Sequence, residues 1–518
     1  MKNLIMLAIM MVGSYSFAQQ ALNISKSTVF KDDKKHTELV LSEGDGNGGV
    51  LTVRMYYGGL LRAPKGYYIE HFDKSLNLIS STEIEIEKSM IEGAMIKDGN
   101  VYLFQKQWGD DLFSINVLSS PLSKLKFESK ELLSFDEDDM KKYFAVSIGI
   151  FGFNNGLAQA DEDFLGKLTF SKEKNFFAFN FDIKDKKNEV HRIFVFNDAF
   201  EKVYENDFTK AIKDRYFEFD DISVDDENGN VYMLGKEFEN DSRRTKKKGK
   251  INYHYELIKL SPEGETSISF KTEEHFVASL TTLKANSHLS CVGFYSDRSE
   301  NRYKGVVRFD IDPETMRMKN TSFQPFTKQF IIDKYGKEKQ KELRSLRYRG
   351  VFMEANTGDI IVNAEEYFVR THYNGRTGAH TTTYHFNDIV STKIGADGNL
   401  IWARNINKRQ AANAPYFNTE SYTSTYHNGK VYIFLNGSKK VKKIRNDRIE
   451  FRDKRAKKLN LYSLVIDAKG NFDYEIIQTD KQLEFPMYVS QGTIMDDGAA
   501  VVFLGRKKRN KQLIKINI

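Results

Sequence analysis

The chain has 518 residues, a formal net charge of +7, a single cysteine and 13% aromatic residues, with 39 Phe and 26 Tyr against only 7 Pro. That length supports a large core without covalent staples, and one cysteine excludes an intrachain disulfide framework. Past the N-terminal segment no apolar run approaches the roughly twenty residues of a membrane-spanning helix.

The chain opens Met1-Lys2-Asn3, runs apolar from Leu4 to Val12, and reaches small residues at Ser16 and Ala18 before Gln19. A charged head, a short apolar run and a small-residue exit read as a secretory signal peptide over residues 1–18. The lone Cys291 lies too deep to carry a lipid anchor next to that cleavage point. Its setting, Leu289-Ser290-Cys291-Val292-Gly293-Phe294, reads as a buried structural thiol rather than a nucleophile.

From residue 19 to 518 the pattern is short, alternating strands between Gly, Asp and Asn turns. One unit is a tight turn feeding a strand. It stands as Asp98-Gly99-Asn100-Val101-Tyr102, Asn228-Gly229-Asn230-Val231-Tyr232, Thr357-Gly358-Asp359-Ile360, Asn428-Gly429-Lys430-Val431-Tyr432 and Asp497-Gly498-Ala499. A second unit is a strand leading into a later turn, as in Leu257-Ile258-Lys259-Leu260 before Pro262-Glu263-Gly264 and Tyr462-Ser463-Leu464-Val465 before Lys469-Gly470-Asn471. The two together make a four-stranded antiparallel sheet, which buries both faces only when stacked on its neighbours. The predicted fold is all-β, a single β-propeller. Turns near residues 46, 98, 173, 228, 286, 356, 428 and 497 give eight blades, with seven as the alternative because the third and fifth lack a clean turn. The last blade has three evident strands, so its fourth is expected from Ala21–Phe30, closing the ring. Long inserted loops are expected at about 238–252, 327–345, 370–385 and 436–459; Phe135–Tyr143 and Lys328–Ser345 are helix-permissive.

Charge concentrates in three segments. Residues 243–250 hold six positive side chains, 439–458 hold eleven against three acids, and 506–511 hold five, so the rest of the chain is net negative. Each segment falls between the second and third strands of its blade, and in a propeller all such loops leave by one face. The predicted partner-binding residues are Arg243, Arg244, Lys246, Lys247, Lys248, Lys439, Lys440, Lys442, Lys443, Arg506, Lys507, Lys508 and Arg509. Such a field draws anionic partners: an acidic envelope protein first, acidic glycans or lipid headgroups second. Nucleic acid fits poorly with an exported chain that has no recognisable nucleic-acid module.

Catalytic signatures are missing. Trp108 and Trp402 are the only tryptophans, too few for quinone-dehydrogenase docking motifs. Sialidase, kelch, WD and YWTD repeats, a Gly-x-Ser-x-Gly elbow, a Cys-x-x-Cys-His haem site and a His-Glu-x-x-His motif do not occur. Asp225-Asp226-Glu227-Asn228-Gly229-Asn230 reads as a turn, since the twelfth position of a calcium loop would be Lys236. His372, His380 and His385 would make a metal site only if their hairpin gathered them, and 380 and 385 take opposite faces of a regular strand. The insertion is read as a polar, hydrogen-bonding loop, with no metal and no cofactor assigned. An interaction protein is favoured over the rival, a hydrolase or lyase acting on an acidic glycan.

The Asp-Gly-Asn turn, the Val-Tyr strand, the later Asp-x-x-Gly-Asn turn and the Lys, Asn, Ile and Phe bias resemble exported β-propellers of Bacteroidota. Proteins of that kind serve as periplasmic accessories of outer-membrane machinery such as the type 9 secretion apparatus. The chain departs from that apparatus's cargo in having no recognisable C-terminal sorting domain. The resemblance implies a resident of the periplasm, or a protein peripheral to the outer membrane, more than an extracellular protein.

Overall fold

Asp98 (φ 49°) with Gly99 (φ 73°), and Asn428 (φ 48°) with Gly429 (φ 75°), close two-residue hairpins between Lys97 and Asn100 and between His427 and Lys430. Both central residues take positive φ, which is why Asx-Gly pairs stand there. Asn286 (φ 48°) opens the turn between Ala285 and His288 without a glycine, so that turn is hard to see in the sequence.

The computed structural model describes residues 22–518 apart from 35, 60–62, 87, 110–111, 137–165, 184, 186, 240–241, 248–249, 273, 340, 377, 414–417 and 454–457. The signal peptide read over 1–18, Lys248 and most of the helix read over Phe135–Tyr143 lie outside those residues.

The architecture is a β-propeller. Among the described residues, seven four-stranded antiparallel units each come from one stretch of chain: 36–85, 89–136, 167–210, 217–270, 276–325, 346–406 and 423–478. An eighth joins Thr493–Met495, Ala500–Lys507 and Asn510–Asn517 to the N-terminal strand Asn23–Lys26, with Asn23 opposite Asn517 and Lys26 opposite Ile514. We number these units one to eight as blades. First strands touch first strands around the axis, and blade eight meets blade one through Gln491 Nε2 donating to the Leu39 carbonyl at 3.4 Å and a Ser42–Thr493 hydroxyl pair.

The core lies between blades. Phe104 and Phe113 of blade two interleave with Phe177, Phe179, Phe181, Phe194 and Phe196 of blade three. The Phe104 and Phe177 rings stand 4.9 Å apart, edge to face. Each such ring contributes about 1.5–3 kcal/mol of burial. Cys291 is buried in the blade four–five core, as its alternating setting implied, and burial pushes its thiol pKa up.

A bulge recurs between the first and second strands. The register slips between Leu39 and Leu41, Ile91 and Gly93, Phe219 and Asp221, Val277 and Leu280, and Tyr348 and Gly350. The extra residue turns away from its own sheet toward the next blade. Glu92 Oε1 accepts from the Leu168 amide at 3.3 Å, Asp220 Oδ2 from Leu280 at 2.7 Å, and Arg349 donates to the Tyr422 carbonyl at 3.0 Å. These polar arms stitch the first strands together without another ladder.

The helix-permissive stretch is helical only over Lys328–Tyr335, capped by the Thr327 hydroxyl and ended by Gly336 at φ 70°. Asp225–Asn230 is a turn, with the Asp225 amide donating to the Asn230 carbonyl at 2.9 Å.

Candidate functional face

The three basic segments occupy the loops between second and third strands: Phe238 to Tyr253 in blade four, Ser438 to Leu459 in blade seven and Lys507 to Asn510 in blade eight. Because every blade runs the same way from the axis outward, these loops leave by one face. Around the ring, blades seven and eight are neighbours, whereas blade four stands opposite blade eight. The charge therefore forms two patches on one face rather than a single one.

The blade four loop folds back as a two-residue ladder, Lys246–Lys247 against Lys250–Ile251. Asn252 ties its ends by donating to the Glu239 and Ser242 carbonyls, both at 2.8 Å. The Arg243 guanidinium lies 6.0 Å over Phe238, and Lys246 Nζ 5.8 Å over Phe276. Arg243, Arg244, Lys246 and Lys247 are exposed.

In blade seven Lys439, Lys440, Lys442 and Lys443 are exposed, the last two paired across a short ladder with Glu450 and Ile449. Beyond them the loop docks. Phe451 is buried in the blade six–seven core, and Lys408 and Arg409 run parallel to Phe451 and Arg452. Arg448 donates to the Lys334 carbonyl and Asn446 to that of Gly336, at the helix C-terminus.

In blade eight the predicted residues divide. Lys507 and Lys508 are exposed. Arg506 donates to the Thr37 carbonyl, and Arg509 Nε to the Asp32 carbonyl at 2.7 Å. Arg506 therefore ties blade eight to the first strand of blade one, and Arg509 holds the N-terminal segment.

The face also rests on buried charges that the sequence reading missed. Lys408 is about 1% exposed, and its Nζ donates to Glu365 Oε1 at 2.6 Å, the Phe386 carbonyl at 3.0 Å and Gln410 Oε1 at 3.0 Å. Burial pulls its pKa down, against the pull of Glu365. Burial also lowers Lys334, but Asp388 and Glu366, each 2.8 Å away, more than offset it and raise its pKa. Glu420, also buried, is pushed up to about 7 by desolvation. No local motif marks these residues, because partners lie far apart in the chain.

The histidine insertion extends the second and third strands of blade six into a long ribbon, Ile360–Asn374 paired with Ala379–Ile394. His372 lies opposite Thr381, His380 opposite Tyr373, and His385 opposite Phe368. This register places His380 on the face away from His372 and His385, and those two are four positions apart. Among the described residues no group of three His, Cys, Asp or Glu is placed to hold a metal ion.

The opposite face carries Asp98, Asp198, Glu227, Glu263, Glu314, Asp397 and Asp497 in its turns. There the blade three turn reaches across the axis. Lys174 pairs with Glu43 of blade one at 2.6 Å and Lys172 with Asp497 of blade eight at 3.7 Å, while the Glu173 amide donates to Asp226 of blade four at 2.8 Å.

No protein-family model matches the chain, and no curated protein sequence does. Several solved structures are similar to it. The β-propeller domain of the Trilobed protease from Pyrococcus furiosus is 9% identical, with 71% of this chain and 94% of that one covered and a TM-score of 0.34. The polysaccharide lyase Uly1 is 10% identical over 82% and 89%, with a TM-score of 0.34. Prolyl oligopeptidase B from Galerina marginata is 8% identical with a TM-score of 0.37; 93% of this chain matches about half of that one, 55%. At such identities the likeness concerns the fold alone. Among the described residues no helix is long and apolar enough to cross a membrane.

Proposed function

We propose that this propeller is a non-catalytic interaction protein of the cell envelope. Its basic loop face takes an acidic protein surface, as an accessory of a secretion or transport machine. On this reading the N-terminal segment exports the chain to the periplasm, where it stays free or lies against the outer membrane. One observation carries the proposal: all three basic segments emerge between second and third strands, on the face away from the acidic turns. A field divided in this way orients an anionic partner during approach.

The test is site-specific photo-cross-linking from positions 440 and 508 in intact envelopes. It should be run beside a variant that keeps both probes and carries Gln at Arg243, Arg244, Lys439, Lys442, Lys443 and Lys507. Arg506 and Arg509 are left alone because they tie blade eight to blade one and to the N-terminal segment. An acidic protein cross-linked from both positions, lost in the Gln variant and at about 1 M salt, where screening reaches about 3 Å, supports the reading. Cross-links that survive both changes overturn it. Cross-linking to glycan or lipid would change the partner class, and turnover of an acidic polysaccharide by the purified protein would establish the enzyme instead.

A further inference from the structure

The ribbon of blade six leaves a strand edge open above the axis. The first strand of the blade, Leu346–Met353, pairs with the second only as far as Leu346 opposite Glu366. One more bond follows, from the Tyr367 amide to the Ser345 carbonyl at 2.8 Å. At Ser345 the backbone takes φ 55° and the chain turns away, with Leu343–Arg344 pairing to Arg302–Tyr303 instead. The second strand continues to Asn374, held on its other side by Thr381, Thr382 and Thr383. Since the Tyr367 amide faces the open side, strand alternation sends the N–H and C=O of Val369, Thr371 and Tyr373 the same way. Among the described residues nothing pairs with them.

Open edges of this length are templates for another strand, and proteins blunt them with charge. Here the charge has one sign. From Tyr367 to Phe386 the ribbon holds Arg370, Arg376 and three histidines and no acidic residue. Arg370 and His372 share one face, with the Arg370 guanidinium 5.0 Å from the Phe368 ring. The other face shows Val369, 42% exposed, and Tyr373, 58% exposed. A second copy of the chain pairing here would set one Arg370 near another. An acidic strand meets complementary charge instead.

We infer that the Phe368–Tyr373 edge is a β-augmentation site for an extended acidic segment of a partner polypeptide. Its carboxylates alternate with apolar side chains, so that one set meets Arg370 and His372 and the other meets Val369 and Tyr373. Backbone pairing supplies affinity and the alternation supplies selectivity. The ribbon shares the face assigned above but uses none of its basic loops.

The probe is a fluorescein-labelled octapeptide in which Glu alternates with Val. Its binding to the full chain is read by anisotropy, and backbone protection by hydrogen exchange. Binding should slow exchange at Val369, Thr371 and Tyr373 together. Thr371→Pro removes one outward N–H and leaves the ladder to the third strand, so it should weaken binding at least tenfold. Arg370→Glu should weaken it similarly and be rescued by a peptide with Lys in place of Glu. The six-site Gln variant of the loops should bind the octapeptide as wild type does, even where it loses its envelope cross-links, so the two readings fail separately. The inference is overturned if the wild type does not bind the peptide. It is also overturned if Thr371→Pro binds unchanged, or if the wild type is a dimer that this substitution dissociates.

Discussion

Arg54 is fully enclosed at the junction of blade one with the N-terminal segment. Its guanidinium divides between Asp32, at 2.5 Å, and Glu70, at 2.7 Å, and Lys511 of blade eight pairs with the same Asp32. Without Arg54, Glu70 loses its partner and Asp32 keeps Lys511 as its one counter-charge, and breaking a buried pair costs about 3–5 kcal/mol. Arg54→Met should therefore lower unfolding stability by an amount in that range, measured in urea. A loss below about 1 kcal/mol would mean that Lys511 alone balances Asp32 and that Glu70 is solvated in the folded chain. Glu420 makes a different prediction. Its carboxyl, buried beside the blade seven loop, is pushed from 4.5 to about 7. Between those values the folded state holds a proton that the unfolded state has lost. The contribution is complete below about 4.5 and vanishes as pH rises through about 7. Relative to Glu420→Gln, the wild type should lose about 1–3 kcal/mol between pH 4.5 and 7.5. Parallel pH profiles for the two proteins would reject that assignment.

The helix Lys328–Tyr335 and the blade seven loop form one unit. Thr327 caps the helix start by accepting from the Phe330 amide at 3.2 Å, and Arg448 and Asn446 cover its last carbonyls. Arg448→Ala should free the loop without melting the ring. Tryptic cleavage within Lys439–Lys443 should accelerate several-fold while the unfolding midpoint stays put; unchanged cleavage would show that Phe451 alone anchors the loop. This unit also marks where the sequence stopped being legible. Turns such as Asp98-Gly99 announce themselves, because positive φ restricts the residue types that fit. The opposed faces of His380 and His385 follow from strand parity. The docking of Arg448 on Lys334, 114 positions away, leaves no local trace. Nor do the bonds that divert Arg509 to Asp32, 477 positions away, so a cluster read as contact surface includes residues that serve closure. The helix itself was half legible: 328–345 is permissive throughout, but Gly336 ends it.

At the scale of the whole molecule, strands from opposite ends of the described chain share one sheet. Asn23–Lys26 forms the outer strand of blade eight, and Phe30–Lys31 pairs again with Lys511 and Asn510. That sheet is blade eight, the one that displays Lys507 and Lys508, so the charge presented there rests on the pairing of Asn23–Lys26. Deleting residues 19–31 should expose the edge of Asn510–Asn517, a strand whose Leu513, Ile514 and Ile516 are fully buried. Such an edge invites pairing with other chains. The truncated protein should unfold at lower urea and self-associate at concentrations where the full chain does not. The loss should be local in origin. Adding a synthetic peptide of residues 22–31 in excess should restore the midpoint, since it binds the folded state alone and stabilises by mass action. A peptide with Pro in place of Ser25, whose amide faces the ladder as Ser27's does, should fail to rescue. Unfolding and light scattering identical to those of the full chain, without peptide, would show that blade eight stands on three strands and that the N-terminal segment is not its closure.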